Sequence, residues 1–291
     1  MGKKKSSYIG SVRFYKNMIL LFVILAIGLG IFFSLHYKRR YKDLLQRAAG
    51  SADITNFSVD AEGPYYQSLY SDFYAPQDYQ ATTRRSQEVY LTFNILSYSN
   101  TEKILALLRD KDVKATFFVT GSGDDGVQQI LQDIVSDGHT LGMLSWSKDY
   151  ATIYGSVDSY LADMHQMSAF IEEATGVTPT AFRFLGGSIN SYDNGNYQEL
   201  IAEMVRRGFV PYDWNVSVQE EQATPAADVQ AKTVSEALER MDRAVVLIQD
   251  TQEEEILVEA LAEIIDVIQQ AEFAIKPLTP EIKPVLFAYG K

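Results

Sequence analysis

The stretch VYLTFNILSYSNTEKILALLRDKDVKATFFVTG, residues 89–121, reads as a strand, a helix and a second strand. VYLTF (89–93) and ATFFV (115–119) are short apolar runs rich in aromatic and β-branched residues, as strands are. Between them TEKILALLRDK (101–111) places Ile104, Leu105 and Leu108 three and four apart, which makes one apolar stripe of a helix. Two strands joined through a crossover helix lie parallel in a sheet.

The same alternation continues through the rest of the chain. After it come GVQQILQDIVSDG (126–138), a long helix near 156–175, AFRF (181–184), NYQELIAEMVRRG (196–208) and FVPYDW (209–214). VQAKTVSEALERM (229–241), AVVLI (244–248), EILVEALAEIIDVIQQA (255–271) and FAIKPL (273–278) complete the series. About seven repeats of strand and helix imply an α/β fold with a parallel sheet, closed as a barrel or doubly wound. No G-x-G-x-x-G or P-loop opens a helix, so nucleotide binding is not signalled and a closed or nearly closed barrel is expected. In such a barrel the chemistry sits where strands end.

Toward the amino terminus the character changes. Residues 18–35, MILLFVILAIGLGIFFSL, carry no charge and at about 1.5 Å per residue nearly cross a hydrocarbon core of about 30 Å. Tyr15 and Tyr37 flank the run and no small-residue cleavage pattern follows, so a transmembrane helix is expected rather than a cleaved signal peptide. This divides the chain into a basic tail (1–17), a span (18–36), a stem (37–86) and a barrel domain (87–291). Tyr65, Tyr66, Tyr70, Tyr74 and Tyr79 in the stem read as packing a short helix or hairpin on the domain, with a sticky binding strip as the other reading.

Charge follows the same division. Residues 1–47 hold ten Lys/Arg and one Asp, net +9, so residues 48–291 carry −21 of the total −12. An acidic domain is repelled by nucleic acid and by anionic polymers. With no cysteine there is neither disulfide nor thiolate chemistry, and only His36, His139 and His165 offer imidazole.

The strand ends carry a resemblance. VYLTF (89–93), VKATFFVTG (113–121), DGHTLG (137–142), FRFLGGSIN (182–190), YDWNVS (212–217) and VVLIQD (245–250) occur in this order. Together they resemble the polysaccharide deacetylase family, also called the NodB-homology domain or carbohydrate esterase family four. The likeness is to its clostridial-type membrane-anchored peptidoglycan deacetylases and covers about residues 87–291. It implies a distorted (β/α) barrel that removes acetyl groups from N-acetylglucosamine polymers, with zinc or another divalent metal polarising the amide and activating water. It also implies an extracytoplasmic barrel with a cytoplasmic amino terminus, because the family's glycans lie outside the cell.

The chain departs from the family at nearly every chemical position. Where the family ends its first strand in T-F-D-D-G, this chain has Thr92-Phe93-Asn94-Ile95-Leu96, an amide for the base and an alkyl group for a ligand. The two histidines of the second motif fall on Leu144 and Lys148, and the histidine of the last motif on Gln249. Arg183 matches the arginine that orients the catalytic carboxylate, although the proline two residues on is Leu185. Glu220 falls near the acidic position that tunes the catalytic histidine. The resemblance therefore implies a degenerate member with no metal, whose groove candidates are Trp146, Arg183 and Trp214.

Other features have plainer readings. His139 reads as a helix-end cap outside the metal shell, His165 as solvent-exposed, and the 252–255 acidic run with Glu259 and Glu263 as a solvated helix face. Three functions follow. A membrane-anchored, catalytically inactive protein would bind cell-wall polysaccharide or an envelope protein. A working hydrolase with a rearranged site would use Asp124, Asp125, Asp149 or Glu220. A structural membrane protein would dock a basic partner through its acidic barrel.

Overall fold

The computed structural model describes residues 64–76, 86–192, 196–219, 224–250 and 253–287, all within one compact unit, Pro64–Lys291. The basic tail, the span expected at 18–36, stem residues 37–63 and 77–85, Glu220 and Gln252 lie outside the described residues. Among the described residues no helix is long and apolar enough to cross a membrane.

Eight strands are interspersed with seven α-helices among the described residues, and a short 3-10 helix, Tyr65–Ser68, precedes them. The strands are β1 (Glu88–Ile95), β2 (Thr116–Thr120), β3 (Thr140–Ser145), β4 (Ala181–Phe182), β5 (Val210–Pro211), β6 (Val216–Ser217), β7 (Arg243–Gln249) and β8 (Ala274–Ile275). The helices are α1 (Thr101–Asp110), α2 (Val127–Ser136), α3 (Tyr150–Ile153), α4 (Val157–Thr175), α5 (Tyr197–Arg206), α6 (Ala227–Leu238) and α7 (Glu254–Gln270). All pairings among these strands are parallel, in the order β5-β4-β3-β2-β1-β7-β6, with β8 added to the start of β1.

The two ends of this order, β5 and β6, are separated in the chain only by Tyr212, Asp213, Trp214 and Asn215. Five residue steps reach at most about 18 Å, so the sheet must curl round until its edges nearly meet. Residues 210–217 form one extended stretch whose first half pairs with β4 and whose second half pairs with β7. Val89 to Phe93 of β1 and all of β2 are fully buried, and α1 lays Ile104, Leu105 and Leu108 against the same core. Helix α4 starts at a capping box between Ser156 and Ser159 and stops at Gly176, whose φ of +71° suits glycine.

Residues 65–75 pack on the barrel through Arg207, which lies at the end of α5 and is buried together with Glu203. Its Nε donates to Glu203, and its two terminal nitrogens donate to the carbonyls of Tyr66, Leu69, Tyr70 and Phe73 at 2.9–3.2 Å. Tyr66, Tyr70 and Phe73 join the core, while Tyr65 and Tyr74 remain exposed. Tyr66 O–H donates to Glu199 at 2.6 Å, which pushes its pKa up to about 12. His165 is not simply solvent-facing. Its ring lies 4.6 Å from Tyr70, and Nε2 sits 3.1 Å from Asp72, tying α4 to the same segment.

Candidate functional site

Each side chain of the site stands where a strand delivers it to the carboxyl end of the sheet. Asn94 is the next-to-last residue of β1 and pairs in register with Gln249, the last residue of β7, so two amides stand side by side. Ile95 is fully buried in the core, and Leu144, near the end of β3, is 1% exposed. Lys148, in the loop after β3, is exposed, and its ammonium donates to the carbonyl of Leu96 across the mouth.

Arg183 follows β4 and is completely buried. Because β4 stops at Phe182, the guanidinium takes over its pairing with the 210–217 stretch. Nε donates to Tyr212 O at 2.7 Å and Nη2 to Asp213 O at 3.1 Å. The remaining bonds reach β1, from Nη2 to Thr92 Oγ1 and from Nη1 to Asn94 Oδ1, both at 2.9 Å. Phe118 and Trp214 present their rings to the cation at 4.2 and 5.4 Å. Burial lowers the Arg183 pKa to about 9, and the nearby Asp213 carboxylate opposes that shift. None of its hydrogen bonds goes to a carboxylate; the acceptor where the family resemblance expects the base is an amide.

The loops around this row are held by three buried aspartates that the sequence reading did not single out. Asp250, just after β7, accepts the backbone N–H groups of Leu96, Ser97 and Tyr98 at 2.8–2.9 Å and so fixes the β1–α1 loop. That loop includes Tyr98 at φ +64°, a left-handed conformation that a tyrosine holds only when tied down. Asp163 on α4 accepts Ser145 O–H and the N–H groups of Trp146 and Ser147 at 2.8–2.9 Å, fixing the loop after β3. Asp213 accepts Ser188 N–H and Phe287 N–H at 2.9 and 2.8 Å, and Ser188 O–H as well. Burial raises the carboxyl pKa of Asp163 and of Asp213 against these hydrogen bonds. Their signal in the sequence was faint: an acid directly after an apolar strand, or one on the apolar face of a helix.

The other candidates separate. Trp146 packs edge-on against Phe170, 5.4 Å away, and a Cβ on Gly121 would lie 2.3 Å from its ring, so it is a wall residue of the β3 loop. Trp214 sits over Arg183 and meets Phe287 edge-on at 4.8 Å. Asp149 caps α3 through Ala151 and Thr152, and Asp124 bonds Ser122 on an exposed turn. His139 does not cap carbonyls as expected. Its Nδ1 accepts Ala115 N–H at 3.2 Å, and burial, with Lys114 nearby, lowers its pKa to about 4.

A divalent cation does not fit the residues present. Asn94, Ile95, Leu144, Lys148 and Gln249 supply two amides, two alkyl groups and a fixed cation, whereas zinc requires imidazole, carboxylate or thiolate donors. Among the described residues, no three His, Cys, Asp or Glu side chains converge as a metal site.

Residues 81–205 match the family model described as polysaccharide deacetylase. A curated relative, the peptidoglycan-N-acetylglucosamine deacetylase of Bacillus cereus, is 28% identical over 142 residues, covering 49% of this chain and 50% of that protein. The chain spans no more than half the length of the curated relatives it matches. Among solved structures, the catalytic domain of peptidoglycan N-acetylglucosamine deacetylase from Eubacterium rectale superposes with a TM-score of 0.67 at 29% identity, covering 72% of this chain and 97% of that one. A pseudoenzyme of carbohydrate esterase family four from Bacillus anthracis shares the fold, with a TM-score of 0.57 at 22% identity over 69% of this chain and 67% of that one.

Proposed function

Since the chain carries a polysaccharide deacetylase domain, we propose that it is a membrane-anchored, extracytoplasmic member of that family which binds wall glycan or an envelope partner without deacetylating it. The observation that carries the reading is the bond from the Arg183 guanidinium to the Asn94 amide oxygen. An arginine in that place serves a carboxylate base by orienting it and holding its charge, and an amide takes up no proton near neutral pH. The loss continues at Gln249 and Lys148, so neither a proton shuttle nor a metal-activated water has a residue to start from. The framework that would present a sugar is kept: a curled sheet, three pinned loops and an aromatic wall at Trp214.

A rearranged hydrolase gains little support, because Asp149 is engaged as the cap of α3 and Asp124 with Ser122 in an exposed turn. Anchoring rests on the uncharged run at 18–36 and the basic residues on both its sides. Acetate released from N-acetylated peptidoglycan tests the reading. The expected result is no release above the buffer rate by the natural chain. Turnover that disappears in any one of Asp124→Asn, Asp149→Asn or Glu220→Gln would replace this reading with the hydrolase. Protease added to intact cells should remove the domain; full protection would overturn its outside placement.

A further inference from the structure

Two cations stand at the mouth of the barrel without a carboxylate to answer them. Arg183 bonds carbonyl, hydroxyl and amide oxygens, and Lys148 bonds the carbonyl of Leu96. The acids nearby are occupied elsewhere. Asp213 accepts from Ser188 and Phe287, Asp250 from the 96–98 loop and Asp163 from the 145–147 loop, while Asp149 caps α3. Among the described residues neither Arg183 nor Lys148 forms an ion pair.

Asn94 links the two. It bonds Arg183, and Leu96, whose carbonyl Lys148 reaches, lies two residues further on. A guanidinium only donates, so the Asn94 oxygen must face Arg183 and its NH2 group must face away. Asn94 is 5% exposed, yet among the described residues that NH2 group has no acceptor. The ammonium of Lys148, with three N–H groups and one bond made, keeps two more. Leu96 is half-buried and adds only alkyl surface. The pair thus offers donors and a positive charge, with no acceptor of its own. A carboxylate, with two oxygens and one charge, answers it. A polyanion does not, because residues 48–291, at −21, repel it.

We propose that the mouth binds a small monocarboxylate, whose oxygens accept from the Asn94 NH2 group and the Lys148 ammonium. The inference rests on the metal-free mouth of the reading above and deepens it by naming the chemistry that this mouth holds. The full-length chain in detergent is heated in sodium formate, sodium propionate, propionamide with sodium chloride, or sodium chloride alone, at one ionic strength, with and without a chelator. The thermal midpoint should rise saturably with formate and propionate over chloride, chelator or not, and stay level with the uncharged propionamide. Lys148→Met and Asn94→Leu should each raise the half-maximal concentration by about tenfold or more, as the loss of a charge-assisted hydrogen bond does. Asn94→Asp should remove the response, because its own carboxylate takes the place of the ligand's. No rise in the natural chain, an equal rise in Lys148→Met, or an equal rise with propionamide overturns the site and leaves the inactive reading in place. A rise that the chelator abolishes puts the acid on a bound metal and overturns both.

Discussion

Two sets of residues at the same end of the sheet differ in kind. Asp250, Asp163 and Asp213 are buried carboxylates, and each is met by three or four N–H or O–H donors from loop residues. Asn94, Ile95, Leu144, Lys148 and Gln249, a few residues away, hold no carboxylate or imidazole at all. Burying a carboxylate is costly unless donors or a cation answer it. Loop N–H groups supply that answer for the first set whether or not a metal is present. Clustered metal ligands without their cation would repel one another, and amides and alkyl groups remove that strain. A mouth built this way keeps its shape and has no need of a cation.

The comparison breaks if the two sets prove equal in weight. Asp250→Ala strips the acceptor from three backbone N–H groups and should cost on the order of 3 kcal/mol in urea unfolding, while Gln249→Ala beside it should cost well under half as much. Equal losses would mean that the replaced row is structural too.

Acid should also act through the framework. His139 has a folded pKa of about 4, below the usual value of about 6.5 that the unfolded chain regains. The unfolded state therefore takes the proton first, so stability from this residue is complete above pH 6.5 and is lost as pH falls toward 4. The expected loss is on the order of 2 kcal/mol, read as the pH dependence of the thermal midpoint, and His139→Gln should flatten the curve across that window.

A smaller effect has the opposite sign. Asn94→Asp places a carboxylate on the Arg183 guanidinium, where the present amide oxygen is 2.9 Å away. Stability at pH 7 should rise by about 1 kcal/mol, because a buried cation gains an ionised acceptor. A fall would show that the site no longer accommodates the charge. The least effect belongs to Lys148→Met: this side chain is exposed and makes a single bond to Leu96 O, and no change in midpoint is expected.

Much of the fold was legible because its signals are local. The helix read at 101–111 is observed at Thr101–Asp110 and the one near 156–175 at Val157–Thr175, since apolar spacing and end residues are properties of neighbours in sequence. FVPYDW reads as one strand, yet only Val210 and Pro211 pair with β4. The strand it should continue to pair with stops at Phe182, and a side chain, Arg183, substitutes for the missing backbone. The row from Asn94 to Gln249 is placed through the family resemblance, whose motifs sit at or just beyond the ends of recognisable apolar runs; Lys148 lies in the loop after β3. The three aspartates could not be placed: Asp250 answers N–H groups more than 150 residues earlier, and nothing near it in sequence announces them. The Arg207 clamp on residues 66–73 escaped for the same reason.

The most direct test is the zinc content of the purified chain after incubation with zinc and dialysis, set against a variant carrying Asn94→Asp, Ile95→Asp, Leu144→His, Lys148→His and Gln249→His. The natural chain should retain none while the variant approaches about one zinc per chain, as expected of a carboxylate and imidazole donor set. Near-stoichiometric zinc on the natural chain would contradict the account, and with it the claim that this fold keeps its frame without its chemistry.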